Sequence, residues 1–254
     1  MLADSHTHLD LFTDEELDTI IPRAWDAGVK LIVCVGSTID SSRRAIELAE
    51  RFDGVYAGVG IHPMDLKRPF NKVDYQNLKS LAESSTKVVC ISETGLDFLD
   101  SSPDRGWQKE SLRQHISLAK ELGRPVDFHA REAYPEILDI MKDEDVREVG
   151  AIWHYFLGDV AKAEEAMACG FYISFAKPLI LQPELAETAK HVPLERIVLE
   201  TDSYPQPWKK NPVRRTEPSH LRLVAQKLAE IKGIDFSEVE EITTRNLKRV
   251  LHLS

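Results

Sequence analysis

Six side chains of types that commonly bind metal ions are spread along the chain, and each stands at the end of a predicted β-strand. Two histidines two positions apart come first, and two further histidines and two acids follow: His6, His8, Glu93, His129, His154 and Asp202. Side chains two positions apart on a strand point to the same face, so we expect His6 and His8 to face one point. Imidazoles and carboxylates gathered in one place are typical of a hydrolytic metal site.

Each of the four later residues follows an apolar stretch, at residues 88–91, 125–128, 151–153 and 196–199. Each also has a structural alternative when it is taken alone. His129 or His154 could be a hydrogen-bonded core histidine, Glu93 a hydrogen-bond acceptor, and Asp202 a cap of the following segment. Their shared position at strand ends favours ligation, with Glu93 bridging two cations and Asp202 taking a proton from water.

Strand and helix patterns alternate from one end of the chain to the other. Strands are predicted at residues 2–6, 31–35, 54–61, 87–92, 125–128, 150–153, 171–174 and 196–199. Helices are predicted near residues 14–27, 41–51, 73–84, 107–122, 133–142, 159–169, 183–190, 218–232 and 236–251. Eight such units in about 250 residues predict an α/β protein with a (β/α)8 TIM-type barrel, occupying residues 1–254 as a single domain. A doubly wound open sheet is the alternative, but it would string the ligands out along one edge.

Composition limits the kinds of partner that the protein can bind. The net charge is −10, from 42 acidic and 32 basic residues, which argues against capture of duplex DNA by overall charge. A locally basic cleft is still compatible with that balance. Three cysteines, Cys34, Cys90 and Cys169, lie in apolar surroundings and are predicted to be buried thiols. No signal or membrane-spanning segment is evident, so we expect a cytoplasmic protein. We also expect a monomer or weak oligomer.

Several further residues are candidates for contact with substrate. His62, in Gly-Ile-His-Pro, is predicted to orient substrate or to bind a weaker cation. Arg131 is predicted to bind a phosphate oxygen, with an ion pair to Glu132 or a neighbouring acid as the alternative. After the last strand, two aromatic residues at 204 and 208 accompany four basic ones, namely Lys209, Lys210, Arg214 and Arg215. This segment has the composition of a nucleic-acid contact and equally that of a solvated, proline-stiffened loop.

The motifs that carry these residues resemble those of the TatD-related deoxyribonuclease family. They are Asp-Ser-His-Thr-His-Leu-Asp at 4–10, Gly-Ile-His-Pro at 60–63, Glu-Thr-Gly-Leu-Asp-Phe at 93–98, His-Ala-Arg-Glu-Ala at 129–133, His-Tyr-Phe at 154–156 and Glu-Thr-Asp-Ser at 200–203. The resemblance covers essentially the whole chain and implies an amidohydrolase-like barrel with two metal ions. It implies that His6, His8, Glu93 and Asp202 hold one cation and that Glu93, His129 and His154 hold the other. Tyr155 departs from the pattern, since a cysteine is common there.

These observations favour a deoxyribonuclease that cleaves phosphodiester bonds with a metal-bridging hydroxide. Two divalent cations are expected, and mixed imidazole and carboxylate ligation suits Mg²⁺, Mn²⁺, Zn²⁺ or Co²⁺. One alternative keeps the metals but changes the bond, as in an aminoacyl-tRNA deacylase or a small-molecule lactonase. Another, from a different class, is a non-catalytic metal-dependent nucleic-acid-binding protein, which would require a lost ligand or base.

Overall fold

Eight parallel strands form a closed barrel in the computed structural model, which describes residues 1–209 and 216–254. Each strand pairs with the next one in the chain, and β8 pairs with β1. The predicted (β/α)8 barrel is therefore confirmed. The strands are β1 (Leu2–Thr7), β2 (Val29–Val35), β3 (Val55–Val59), β4 (Val88–Asp97), β5 (Val126–Arg131), β6 (Ala151–Trp153), β7 (Tyr172–Phe175) and β8 (Ile197–Leu199).

Helices follow the strands in chain order. They are α1 (Asp14–Asp26), α2 (Ile39–Arg51), α3 (Lys72–Glu83), α4 (Arg105–Leu122), α5 (Glu136–Asp143), α6 (Val160–Ala168), α7 (Pro178–Leu181), α8 (Pro183–His191), α9 (Leu221–Lys232) and α10 (Phe236–Val250). All but α7 correspond to predicted helices. Four residues are too few to show a helical repeat, so periodicity did not predict α7.

Local sequence explains where these helices begin and end. Before α1, the Thr13 side chain accepts a hydrogen bond from the Glu16 N–H, and the Glu16 carboxylate accepts one from the Thr13 N–H. This capping box satisfies backbone donors that have no partner within the helix. At the other end of its helix, α4 stops at Gly123, which adopts the left-handed conformation (φ 62°) that glycine tolerates best.

The final helix covers the end of the barrel at which the strands begin. Leu247 and Val250 of α10 pack in the same apolar cluster as Leu31 of β2. Asn246 donates hydrogen bonds from its amide to the carbonyls of Leu194 and Ile197, where β8 starts. The opposite end, where the strands finish, is left for the predicted ligands.

Two of the predicted ligands lie two or more residues before the ends of their strands, which corrects the sequence prediction. β4 runs on to Asp97, so Glu93 lies in its middle, and β5 runs two residues past His129. The pairing of β4 with β5 shifts register between Ile91 and Thr94. Such an irregularity breaks the simple alternation of faces, and sequence periodicity gives no sign of it.

The three cysteines are free and buried, as predicted. In the described part of the chain, no helix combines the length and the apolar character that crossing a membrane requires.

Candidate metal centre

The carboxylate of Glu93 lies at the centre of the predicted ligand set. Its Oε2 atom is 3.6 Å from His6 Nε2 and 3.5 Å from His8 Nε2. Its Oε1 atom is 3.5 Å from His129 Nδ1 and 3.7 Å from His154 Nε2. The two oxygens of one carboxylate therefore face two different pairs of imidazoles.

Asp202 completes the cluster from the end of β8. Its Oδ1 atom lies 3.5 Å from His8 Nε2. Its backbone has φ 47°, a conformation that is uncommon outside glycine and is often found at functional sites. The structure thus brings all six predicted ligands to the end of the barrel where the strands finish.

The spacing of these atoms fits divalent cations. Two ligand atoms bound at about 2.0–2.2 Å to one tetrahedral ion are separated by about 3.3–3.6 Å. The nitrogen-to-oxygen distances around Glu93 are close to that value and longer than hydrogen bonds. In addition, His6 Nε2 is buried and has no hydrogen-bond partner among the described residues. A buried polar atom left in this way is costly unless a ligand occupies the space beside it.

The charged groups of the cluster shift one another's pKa values. Burial alone would raise the pKa of Glu93, but His62, His6 and His154 hold it well below its usual range. Burial lowers the pKa of His154, yet the Glu200 carboxylate outweighs this effect and raises the pKa to about 9. A metal-binding imidazole must be neutral, so cations that enter such a site displace protons.

His62, which follows β3, lies beside the same carboxylate. Its Nε2 atom is 3.4 Å from Glu93 Oε1, while its Nδ1 atom accepts a hydrogen bond of 3.1 Å from the Met64 N–H. Burial lowers the pKa of His62 to about 4, so the ring is neutral. A neutral ring that accepts at Nδ1 carries its proton on Nε2, which makes this atom a donor. His62, Glu93 and His129 also lie close enough together to hold a cation, so the predicted binding of a weaker cation stays a prediction.

Arg131 lies at the rim of the site, where its side chain is about half exposed (47%). Arg131 forms an ion pair with a neighbouring acid, as the structural alternative predicted, but that acid is Asp97 and not Glu132: the Arg131 Nε–H donates to Asp97 Oδ2 at 2.6 Å. Asp97 fixes the base of the guanidinium and leaves its other side open to the cavity.

The segment that follows β8 is described only as far as Lys209. The rings of Tyr204 and Trp208 lie 6.0 Å apart, and Trp208 is exposed. Lys209 Nζ donates a hydrogen bond to Gln206 Oε1. The other predicted contacts of this segment, Lys210, Arg214 and Arg215, lie outside the described residues.

A cavity of about 520 Å³ opens over the cluster. Glu93 lines it together with four histidines (His8, His62, His129 and His154), and Asp65 and Arg131 add charged side chains. Leu11 and Leu157 line the mouth and are 56% and 55% exposed, and Tyr155 and Tyr204 add aromatic surface. The cavity therefore combines a polar floor with a partly apolar rim.

Three buried acids behind the imidazoles were not predicted. Asp127 Oδ2 accepts a hydrogen bond of 2.7 Å from His6 Nδ1, and Asp97 Oδ2 accepts one of 2.9 Å from His129 Nε2. Glu200 Oε1 lies 2.9 Å from His154 Nδ1. Asp127 carried a usable signal, because an acid within an apolar strand requires a buried partner.

His115, which sequence reasoning left out of the site, anchors the segment before His62. Its Nε2 atom accepts a hydrogen bond of 3.0 Å from the Ile61 N–H, and its Nδ1–H donates to the Ser111 carbonyl at 2.7 Å. The ring is fully buried on α4, so it holds the end of β3 from behind.

Comparison with known proteins identifies the family. The family model described as "TatD related DNase" matches residues 3–252. The chain belongs to the TatD family. It is 37% identical to a Bacillus subtilis protein called "Uncharacterized metal-dependent hydrolase YabD", and the match covers the whole of both chains. It is 31% identical to human "Deoxyribonuclease TATDN3" over 96% of this chain and 92% of the human one.

Among solved structures, the TatD homologue YJJV from Escherichia coli superimposes with a TM-score of 0.90 at 25% identity. The match covers 100% of this chain and 98% of that one. The sequence therefore encodes a metal-dependent hydrolase of the TatD family, as its motifs predicted. The family motifs and the cluster around Glu93 coincide in this chain.

Proposed function

We propose that this TatD family protein hydrolyses phosphodiester bonds in DNA and uses two divalent cations to do so. The observation that carries the proposal is the placement of Glu93, whose two oxygens face two separate pairs of imidazoles. The family description and the name of the human relative support DNA as the substrate.

The proposed ligands follow from these distances. His6, His8, Asp202 and one oxygen of Glu93 would hold one cation, and His129, His154 and the other oxygen of Glu93 would hold the second. Divalent cations in such a site polarise a phosphoryl oxygen and stabilise the charge that develops in the transition state. Mg²⁺, Mn²⁺, Zn²⁺ and Co²⁺ all accept this mixture of nitrogen and oxygen ligands.

Asp202 is the residue best placed to accept the proton of the attacking water. Its side chain is 21% exposed and lines the cavity, whereas the side chain of Glu93 is 5% exposed and surrounded by imidazoles. A general base must be within reach of a water molecule that enters from the cavity. Both side chains line the cavity, but Asp202 is the more accessible of the two, whereas Glu93 is enclosed by imidazoles on the cavity floor.

His62 and Arg131 are proposed to hold the phosphate. The neutral His62 ring presents an N–H at Nε2, which can donate to a phosphate oxygen. The Arg131 guanidinium, fixed by Asp97, adds a permanent positive charge at the rim. The predicted contacts of Lys209, Lys210, Arg214 and Arg215 with the nucleic-acid backbone stay predictions.

A substrate panel tests this proposal. Purified protein loaded with Mg²⁺ or Mn²⁺ is assayed on DNA, an aminoacyl-tRNA and a small lactone, next to Asp202→Asn protein prepared identically. We expect the wild type to cleave DNA and the variant to show little cleavage, which excludes a contaminating nuclease. Cleavage of only the carbonyl substrates would assign the protein to ester hydrolysis, and DNA binding without cleavage would make it a binding protein.

A further inference from the structure

Each of three proposed ligand histidines has a buried carboxylate behind it. Asp127 lies behind His6, Asp97 behind His129 and Glu200 behind His154. All three acids are almost completely buried. They stand on strands β4 and β5 and directly after β8, so the barrel itself sets their positions.

These contacts do not involve the same ring nitrogen. Asp127 binds Nδ1 of His6, which leaves Nε2 facing Glu93. Glu200 lies beside Nδ1 of His154 in a contact that lacks hydrogen-bond geometry, and Nε2 of this ring faces Glu93. His129 is turned the other way, because Asp97 binds its Nε2 and leaves Nδ1 facing Glu93.

A neutral imidazole has one N–H and one lone pair. A carboxylate that accepts the N–H fixes the proton on that nitrogen and keeps the lone pair on the other. We propose that Asp97 and Asp127 are positioning residues that select the metal-binding nitrogen of two histidines, Nδ1 of His129 and Nε2 of His6. The negative charge of Glu200 beside Nδ1 of His154 favours the proton on that nitrogen and so the metal on Nε2. This inference rests on the ligand roles in the proposed function.

Further hydrogen bonds fix the direction of each carboxylate. Asp127 Oδ2 also accepts from Ser92 Oγ at 3.0 Å. Glu200 Oε1 accepts from the Tyr155 N–H at 2.8 Å. A carboxylate held from two sides cannot rotate with the ring, so it determines the orientation of the imidazole instead of following it.

Asp97 also holds an arginine in place, because its Oδ2 atom accepts hydrogen bonds from both His129 and Arg131. Its Oδ1 atom accepts from Ser102 Oγ at 2.7 Å and from the Leu99 N–H at 3.2 Å. One carboxylate thus couples a proposed metal ligand to the proposed phosphate-binding arginine. Loss of Asp97 is expected to affect both metal affinity and KM.

The test uses protein labelled with ¹⁵N-histidine and loaded with zinc, whose nuclear magnetic resonance spectrum distinguishes the metal-bound nitrogen from the N–H nitrogen of each ring. In the wild type we expect Nδ1 of His129 and Nε2 of His6 and His154 to be bound. Asp97→Ala should remove the Nδ1 preference of His129 and weaken zinc binding by about 10–100-fold. Asp97→Asn retains an acceptor oxygen and should largely restore the wild-type pattern.

Asp74→Ala is the matched control. Asp74 is also a buried acid, but it accepts hydrogen bonds from Arg68 and caps α3. We expect this variant to lose stability without any change in the bound nitrogens. Zinc bound through Nε2 of His129 in the wild type would overturn the inference, whether or not any variant folds.

The proposed function can fail separately from this inference, because the spectrum requires no substrate. A protein that shows the expected nitrogens but leaves DNA intact would contradict the deoxyribonuclease proposal and support the positioning role. An Asp97→Ala protein with unchanged bound nitrogens and unchanged zinc affinity would refute the positioning role even if the wild type cleaves DNA.

Discussion

The backbone N–H of Asp202 donates a hydrogen bond of 3.0 Å to the carbonyl of His6. The next residue, Ser203, forms a bridge with Thr7, and its carbonyl accepts from the His8 N–H at 2.9 Å. These bonds join the last strand to the first just where the site lies. The hydrogen bonds that join β1 to the segment after β8, and so close the barrel, therefore also place the Asp202 carboxylate beside His8.

Asp202→Asn separates the proposed catalytic role from a structural one. The amide preserves the shape and one oxygen but cannot take a proton, so we expect turnover to fall by about 10²–10⁴-fold with saturating metal. Substrate affinity and melting temperature should change little. Single-turnover rates and thermal unfolding are measured on the same preparation. A stable variant that turns over at the wild-type rate would rule out the role as base.

Glu93→Ala tests whether one carboxylate serves two cations. Because its two oxygens face different histidines, we expect the variant to lose affinity for both cations. His6→Ala should weaken mainly one cation and His129→Ala mainly the other. Elemental analysis after dialysis gives the metal content, with the exposed His191→Ala as control. Two cations retained at full affinity by Glu93→Ala would contradict the bridging assignment.

Removal of metal should abolish hydrolysis and leave the fold intact. The apolar packing of the barrel and of α10 involves none of the proposed ligands, so circular dichroism of the chelated protein should match that of the untreated one. Added Mg²⁺ or Mn²⁺ should restore activity. Full activity in protein shown to be metal-free would be incompatible with the proposed mechanism.

The alternation of strands and helices predicted the barrel because each element is long enough to show its own repeat. It also predicted that residues as distant as His6 and Asp202 would meet, since all parallel strands finish at the same end. The position of Glu93 within β4 was not predictable. β4 continues beyond the predicted end at Ser92 and pairs with β5 as far as Asp97, and this pairing is a property of both strands and not of either strand alone.

The acids behind the imidazoles were missed for a related reason. Asp97 lies four residues after Glu93 in a part of β4 that the sequence pattern did not predict to be strand, so its contact with His129 was not expected. His115 was set aside because it lies in the middle of a helix. Its role depends on Ile61, a contact between α4 and the end of β3 that no local pattern reveals.

The last prediction concerns His115 and the dependence of stability on pH. Burial lowers the pKa of this histidine from 6.5 to about 4, although the Asp74 carboxylate acts in the opposite direction. Between these two values the unfolded chain binds a proton that the folded protein does not. The free energy of unfolding therefore falls as the pH is lowered from about 6.5 to 4, and this contribution is about 3 kcal/mol.

His115→Gln removes that titration and keeps a polar side chain of similar length. We expect the variant to be less stable than the wild type at pH 7.5, because the hydrogen bond from the Ile61 N–H is weakened. The difference in free energy of unfolding between wild type and variant should become about 3 kcal/mol smaller at pH 4, since only the wild type loses this contribution on acidification. Urea unfolding of metal-free protein at the two pH values measures the difference, and the other histidines cancel in the comparison. If this difference is the same at both pH values, His115 titrates normally in the folded protein and burial does not keep it neutral.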